Sequence, residues 1–185
     1  MPSIIDYPTV LESLEAKGFR CLYHNSGAFG FAAESQVCHV GWIGKPDSSI
    51  RDSANLRQFK EPFLQDMIDL VVDAWIDRIP GPIWLMPKSH WSYELQFGNA
   101  DWLHDMLEGL AIDPKRLEGL NNAAAVVFEQ REIKLLKGAL CLLLSNLRGS
   151  DFMLVFPDYG TVCTVHHHQQ LWWQSTRSEV IECLR

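Results

Sequence analysis

The sequence predicts an α+β fold: a single domain with a mainly antiparallel sheet built from hairpins, and helices packed on it. Three observations favour this class. The chain has 185 residues, of which 47% are hydrophobic and 21% charged, proportions typical of one globular domain. Short apolar segments repeatedly flank turn-forming residues, as hairpins require. Longer segments with a helical apolar period lie between them, and no linker or low-complexity tract divides the chain.

The N-terminal part predicts one helix followed by strands. Asp6 and Pro8 are typical of a helix start, and Gly18 is typical of a helix end. From Phe19 onward the pattern changes to a period of two, which predicts three short strands. These strands are Phe19–His24, Ala28–Ala33 and Gln36–Ile43. The loop Lys45–Asp52 carries hydroxyls and cations, but it lacks the spacing of a phosphate-binding loop, so we interpret it as an ordinary polar loop.

The middle of the chain predicts a long core-facing helix and then a hairpin. The helix is expected over Glu61–Arg78, because a proline is tolerated only in its first turn and Pro80 stops it. The hairpin joins Ile83–Met86 to Trp91–Phe97. Apolar and polar residues alternate without a miss over Trp91–Phe97, which predicts a half-buried strand.

The later elements follow the same rules. Asn99 or Asp101 is expected to cap a helix that runs to Leu110, and Asp113 with Pro114 predicts a short second helix. Four further elements are predicted: a strand at Ala123–Phe128, a helix at Glu129–Leu147, and a strand pair at Phe152–Phe156 and Thr161–Val165.

The C-terminal segment allows two interpretations. Thr176 and Glu179 have capping-box spacing, which predicts a final helix there and one long strand over Thr161–Trp173. The alternative, which we favour because a strand of that length is unusual, starts the helix near Gln169. A weak strand–turn–strand–helix duplication between residues 83–110 and 152–184 is also possible, since Pro87 and Trp102 align with Pro157 and Trp172.

Charge, cysteine content and the N-terminus exclude several classes. The formal net charge of −7 argues against nucleic-acid binding, which depends on cationic patches. The sequence has no secretory signal and no apolar run of membrane-spanning length, so we expect a cytoplasmic protein. The five cysteines include no CxxC pair, which predicts free and mostly buried thiols rather than disulfides or a structural zinc site. Cys141, in an apolar segment, is expected to pack inside.

The densest group of potential metal ligands is Cys163–His168, which ends in three consecutive histidines. Imidazole binds zinc and other divalent transition metals, and His166 and His168 would project from one face of a strand. A third ligand would have to come from His39, His90, Asp158 or Glu94. Because no spaced ligand motif accompanies the histidines, we favour the interpretation that they are surface residues and that the protein holds no cofactor, with zinc or another divalent transition metal as the alternative.

Two other groups of residues suit a partner or a small ligand. Trp102, Trp172 and Trp173 lie near predicted helix starts beside polar residues, where tryptophan often anchors a partner. Along the long helix, four carboxylates share one face, and their mutual repulsion suggests a cation or a basic partner. These carboxylates are Asp66, Asp69, Asp73 and Asp77. The alternatives are core packing for the three tryptophans and a solvated helix face for the four carboxylates.

Two functions from different classes follow. The first, which we favour, is a non-catalytic binding or interaction domain for a protein or small-molecule partner, because each candidate catalytic group lacks a necessary member. The second is a small metal-assisted hydrolase that uses His166 and His168 with a third ligand. A homodimer is possible through the tryptophans, and neither nucleic acid nor membrane is an expected partner.

Overall fold

The structure, a computed structural model, describes residues 1–23, 28–31, 36–44, 55–119 and 124–185. Within these ranges eight strands form one large sheet, two strands form a separate small sheet, and helices cover the large sheet. The α+β class with a mainly antiparallel sheet is therefore confirmed. The strands are β1 (Ser3–Ile5), β2 (Phe19–Tyr23), β3 (Ala28–Phe31), β4 (Cys38–Ile43), β5 (Leu56–Gln58), β6 (Ile83–Pro87), β7 (Ala125–Phe128), β8 (Phe152–Phe156), β9 (Thr161–His166) and β10 (Gln170–Ser175).

The large sheet has the order β1-β7-β6-β8-β9-β10-β4-β5, and β2 pairs with β3 in the small one. Its neighbouring strands run antiparallel except for β4 and β5, which are parallel. The helices are α1 (Tyr7–Glu15), α2 (Leu64–Asp77), α3 (Trp91–Tyr93), α4 (Ala100–Gly109), α5 (Pro114–Gly119), α6 (Ile133–Asn146) and α7 (Ser178–Leu184). A π-helix follows α3 at Glu94–Gly98, and short 3-10 helices lie at Gln130–Glu132 and Pro157–Tyr159.

Alternating side chains of the central strands divide the core between the two faces of the large sheet. In β8, Leu154 belongs to the larger core, under helices α2 to α7, whereas Val155 belongs to the smaller core with α1 and the small sheet. Every residue of β6 and of β8 is buried. This is why both strands are almost continuously apolar, since a strand covered on both faces has no polar side.

The register of the central strands places three loops at the same end of these strands. Pro87 at the end of β6 pairs with Phe152 at the start of β8, and Phe152 pairs with Val165 in β9. The loops before β8, after β6 and between β9 and β10 therefore meet. The backbone N–H of Lys88 donates to the carbonyl of Asp151 at 2.9 Å, which ties two of these loops together.

The strand predicted for Trp91–Phe97 is wrong, because the segment is helical, as α3 and the start of the π-helix. Its alternating apolar residues divide between two faces of this helical segment. Trp91 and Leu95 are buried, whereas Tyr93 and Phe97 are 49% and 76% exposed and lie against each other. A spacing of four residues joins each pair, so the same letters satisfy a helix.

The favoured helix start near Gln169 is also wrong, since β10 occupies Gln170–Ser175. The capping-box alternative lies closer, because α7 begins at Ser178, but the long strand it required is broken into the β9–β10 hairpin. Residues 83–110 and 152–184, the two halves of the weak duplication, differ in their second element. This element is helical after β6 and a strand after β8.

The other element predictions are confirmed within the described ranges, with boundaries shifted by a few residues. Asp6 caps α1 by accepting from the backbone N–H of Thr9 at 3.0 Å. The predicted loop Lys45–Asp52 lies outside the described residues. Among the described free cysteines Cys163 is buried, Cys38 is half-buried, and Cys141 and Cys183 are exposed, which corrects both the prediction of mostly buried thiols and the packing role predicted for Cys141. No described helix has the length and apolarity needed to cross a membrane.

Candidate metal centre

The three consecutive histidines, His166 to His168, lie where β9 turns into β10, and we call this segment the histidine turn. His166 pairs with Gln170, which leaves His167, His168 and Gln169 as a three-residue loop. The backbone N–H of Gln169 donates to the carbonyl of His166 at 3.1 Å, and Gln169 has a positive φ of 59°. A type I turn followed by a left-handed residue is a common three-residue hairpin loop. The turn therefore reverses the chain and gathers the three side chains.

The three imidazole rings pack against one another. The His166 and His167 rings stack with centroids 4.2 Å apart, and His168 meets them edge-on at 4.9 and 4.3 Å. One ring nitrogen from each residue lies within 4.8 Å of the other two. The side chains of His166 and His167 are 26% and 27% exposed, so the cluster is half-buried but reachable from solvent.

Asp151, just before β8, orients the cluster. Its Oδ1 lies 2.9 Å from Nδ1 of His167 and also accepts from the backbone N–H of His167 at 3.3 Å. The same oxygen lies 3.8 Å from Nε2 of His166. A carboxylate can only accept, so the short contact places the proton of His167 on Nδ1 and leaves a lone pair on its Nε2. This carboxylate–imidazole pair is the arrangement that orients histidine ligands in metal sites.

Burial and neighbouring charges together lower the pKa of His166. Burial is the largest cause, and the charges of His167, His168 and Lys88 act in the same direction, whereas Asp151 raises the pKa. Lys88 lies near the cluster, with its Nζ 3.8 Å from Oδ2 of Asp151. A lower pKa keeps the His166 imidazole neutral at neutral pH, and the neutral form is the one that binds a metal.

The lowered pKa of His166 predicts how stability changes with pH in the metal-free protein. The unfolded chain takes up a proton on this imidazole near pH 6.5, whereas the folded protein does so only at lower pH. Because the unfolded state then binds more protons, stability falls as the pH drops through this interval. Urea unfolding at a series of pH values is expected to show this loss, and His166→Asn is expected to reduce it. An identical pH profile in both proteins would contradict the assignment.

The histidine turn suits a transition-metal ion. Zinc binds imidazole nitrogen at about 2.0–2.1 Å, which brings ligand nitrogens to about 3.4 Å from one another in a tetrahedral site. The nitrogens here are within 4.8 Å of one another, so the rings must move closer together to hold an ion. His166 accepts the backbone N–H of His168 on Nδ1 at 3.2 Å, a long contact that a metal ion can replace.

No protein-family model, curated protein or solved structure matches the chain. A functional assignment therefore depends on the side chains themselves. The predicted pair of His166 and His168 does lie together, and the third member of the cluster is His167. His167 was overlooked because a continuous strand would turn it to the opposite face, whereas the turn brings it back.

Among the described residues, none of the four predicted third ligands, His39, His90, Asp158 and Glu94, belongs to the group that could hold an ion. Glu94 is buried in a separate network, and Asp158 forms an ion pair with Lys17 at 2.7 Å. His39 lies on β4 opposite Gln174, four residues along β10 from the His166 partner Gln170. That separation is about 13 Å at the usual rise of a strand. Asp151 was not predicted, since only the pairing of β8 with β9 reveals its position.

The predicted tryptophan surface is mostly interior. Trp173 is fully buried and packs in tilted contacts against Trp42 and Phe156. Trp102 is 9% exposed, and its Nε1 donates to Oδ1 of Asn99 at 3.2 Å. Both are core residues, which corrects their prediction as partner-binding side chains. Trp172 is half-buried. Its ring lies over Gly41, where a Cβ would be 2.7 Å from the ring, so it covers a glycine in the neighbouring strand.

The acidic row of α2 is not one free surface. Asp69 forms an ion pair with Lys137 of α6 at 2.5 Å, and this contact holds the pKa of its carboxyl below its usual value. Asp73 and Asp77 line a small cavity of about 190 Å³ together with Arg57 and Arg78. Asp66 is exposed. The four carboxylates therefore face different neighbours, and their role as a common binding face stays a prediction.

Glu94 is predicted on a strand, but it lies at the start of the π-helix. Its carboxylate is fully buried and accepts from the side chains of Ser89, Asn99 and Ser150. The distances to Asn99 and Ser150 are 2.6 and 2.9 Å. Gly98 leaves room for it, because a Cβ there would be 2.5 Å from the carboxylate. Ser89 follows Lys88 and Ser150 precedes Asp151, so this network underlies the loops of the histidine turn.

Proposed function

We propose that this protein binds a divalent transition-metal ion through His166, His167 and His168, with Asp151 as the positioning residue. The single observation that supports the proposal best is the approach of three imidazole nitrogens to within 4.8 Å of one another. Imidazole favours zinc, copper and nickel over magnesium or calcium. A binding role for a small ligand agrees with the class that the sequence favours, and the metal agrees with its alternative.

The surroundings of the histidine turn support the same proposal. The histidines lie at the turn that joins two paired strands. The Asp151 carboxylate is 18% exposed, so its contact with His167 is shielded from solvent. A surface histidine needs no such partner. The cluster also remains partly open, which allows an ion to enter.

The proposal is tested with zinc as the probe and with protein purified without a tag. Competition against a chromophoric chelator is expected to give one bound zinc ion per chain. His167→Ala is expected to weaken zinc binding by at least about tenfold, since loss of even an outer contact of a metal ligand commonly has that effect. His166→Ala and His168→Ala are expected to weaken it similarly.

The matched control is His39→Ala, which removes an exposed histidine on β4 and leaves the turn intact. Its zinc affinity is expected to equal that of the unchanged protein. Equal losses in all four variants, or no zinc binding at neutral pH, would refute a site in the turn.

A metal-assisted hydrolase is the second candidate. Three nitrogen ligands leave a coordination position for water, as in catalytic zinc sites, and the metal lowers the pKa of that water. The specific observation that favours it is Lys88, a cation 3.8 Å from Asp151 that can attract an anionic substrate. Zinc-loaded protein would then hydrolyse the anionic ester bis(4-nitrophenyl) phosphate faster than free zinc, and His167→Ala would abolish the difference. A rate equal to that of free zinc would exclude this candidate and leave the binding function.

A further inference from the structure

A second concave site lies beside the histidine turn. A wide-open pocket of about 490 Å³ is lined by Glu61, Pro62, Phe63, Leu64 and Gln169, and we call it the Glu61–Gln169 cavity. Its volume is within the range of about 300–1,000 Å³ that small-molecule sites occupy. Four of its lining residues immediately precede or begin α2, and the fifth comes from the β9–β10 turn.

The side-chain amide of Gln169 has no hydrogen-bond partner for its carbonyl. Its Oε1 is buried, and it accepts no hydrogen bond from any residue that the structure describes. A buried acceptor without a partner costs about 1–3 kcal/mol, so its presence calls for an explanation. Rotation of this side chain toward the cavity sacrifices no hydrogen bond of Oε1, and a ligand that donates to it would recover the missing one.

The other walls of the cavity combine one charge with apolar surface. Leu64 is half-buried and offers apolar contact, whereas Phe63 is almost fully buried and exposes only a small part of its ring. Glu61 is exposed and is the charged group among the described lining residues. A carboxylate and an amide carbonyl are both acceptors, so the polar part of a matching ligand must be a donor.

We infer that the Glu61–Gln169 cavity binds a small organic amine in its protonated form. Once the Gln169 side chain has rotated toward the cavity, the ammonium group would donate to its Oε1 and to the Glu61 carboxylate, and the hydrocarbon part would lie against Phe63 and Leu64. The net charge of −7 also favours a cationic ligand over an anionic one. This inference is independent of the proposed metal function, because none of the histidines lines the cavity.

Benzylamine is a suitable probe, since it is protonated at neutral pH, and benzyl alcohol is its uncharged counterpart. Proton–nitrogen correlation spectra of the full metal-free chain are expected to show benzylamine shifting the signals of Glu61, Phe63, Leu64 and the Gln169 side-chain amide. Benzyl alcohol is expected to bind at least about threefold more weakly than benzylamine, because a partly exposed ion pair contributes a ratio of that size.

Two variants separate the contributions of the two acceptors. Glu61→Gln is expected to reduce benzylamine affinity to that of benzyl alcohol, and Gln169→Gly, which suits the positive φ of that position, is expected to weaken both probes. Glu118→Gln, at an exposed position on α5, is the control and is expected to leave both affinities unchanged. Absence of shifts at the cavity, equal affinity for the two probes, or unchanged benzylamine affinity in Glu61→Gln would overturn the inference.

Discussion

Glu94→Ala is expected to lower the free energy of unfolding by about 3 kcal/mol, because it leaves several donors beneath the sheet edge without their acceptor. The carboxylate is fully buried and accepts from Ser89, Asn99 and Ser150. The two serine hydroxyls are half-buried and can turn toward water, but Asn99 is 1% exposed and loses the Glu94 acceptor at 2.6 Å, keeping only Oγ of Ser150 at 2.9 Å. Chemical denaturation of the metal-free protein measures the change directly.

Two further variants make this result specific to the hydrogen bonds. Glu94→Gln keeps the size of the side chain and one acceptor oxygen, so we expect a smaller loss than in Glu94→Ala. Glu108→Ala removes an exposed carboxylate from α4, and we expect a change within about 0.5 kcal/mol. If Glu94→Ala were as stable as Glu108→Ala, the buried network would have no role in stability.

The same network helps to explain why Trp91–Phe97 forms a helical segment and not the predicted strand. Period-two alternation and a helical spacing of four coincide in this short segment, so the letters alone do not decide. The decision comes from long-range contacts: Nε1 of Trp91 donates to the carbonyl of Ala124 at 2.6 Å, and Ser150 lies 56 residues from Glu94. A single sequence contains no signal for such partners. Strands flanked by glycine, proline or polar turns were predictable, because their local chemistry agrees with the final packing.

The metal centre was predictable in part for a similar reason. The proximity of His166 and His168 follows from their spacing on a strand, where residues two apart share a face. The turn was not predictable, because its left-handed residue is Gln169 rather than glycine or asparagine, the residues that usually mark such a position. Once the hairpin is missed, His167 is assigned to the wrong face. Asp151 requires the pairing of β8 with β9, which depends on the whole sheet.

Asp151→Asn is expected to weaken zinc binding by about 10- to 100-fold, the usual effect of losing the carboxylate partner of a histidine ligand. The variant keeps the size of the side chain but removes the charge that favours a proton on Nδ1 of His167, 2.9 Å away. Nitrogen chemical shifts of the His167 ring are expected to show a mixture of tautomers in the variant and one tautomer in the unchanged protein. A purely structural role of Asp151 would not move this signature.

The pH dependence of the same variant provides an independent check. Asp151 raises the pKa of His166, so its replacement is expected to lower that pKa further. Protons should then compete less with zinc for His166 at acidic pH, and the affinity ratio between the two proteins should narrow as the pH falls. Asp158→Asn is the matched control, because Asp158 follows the other end of β8 and pairs with Lys17. Equal zinc affinities in Asp151→Asn and Asp158→Asn would show that Asp151 does not position the ligand.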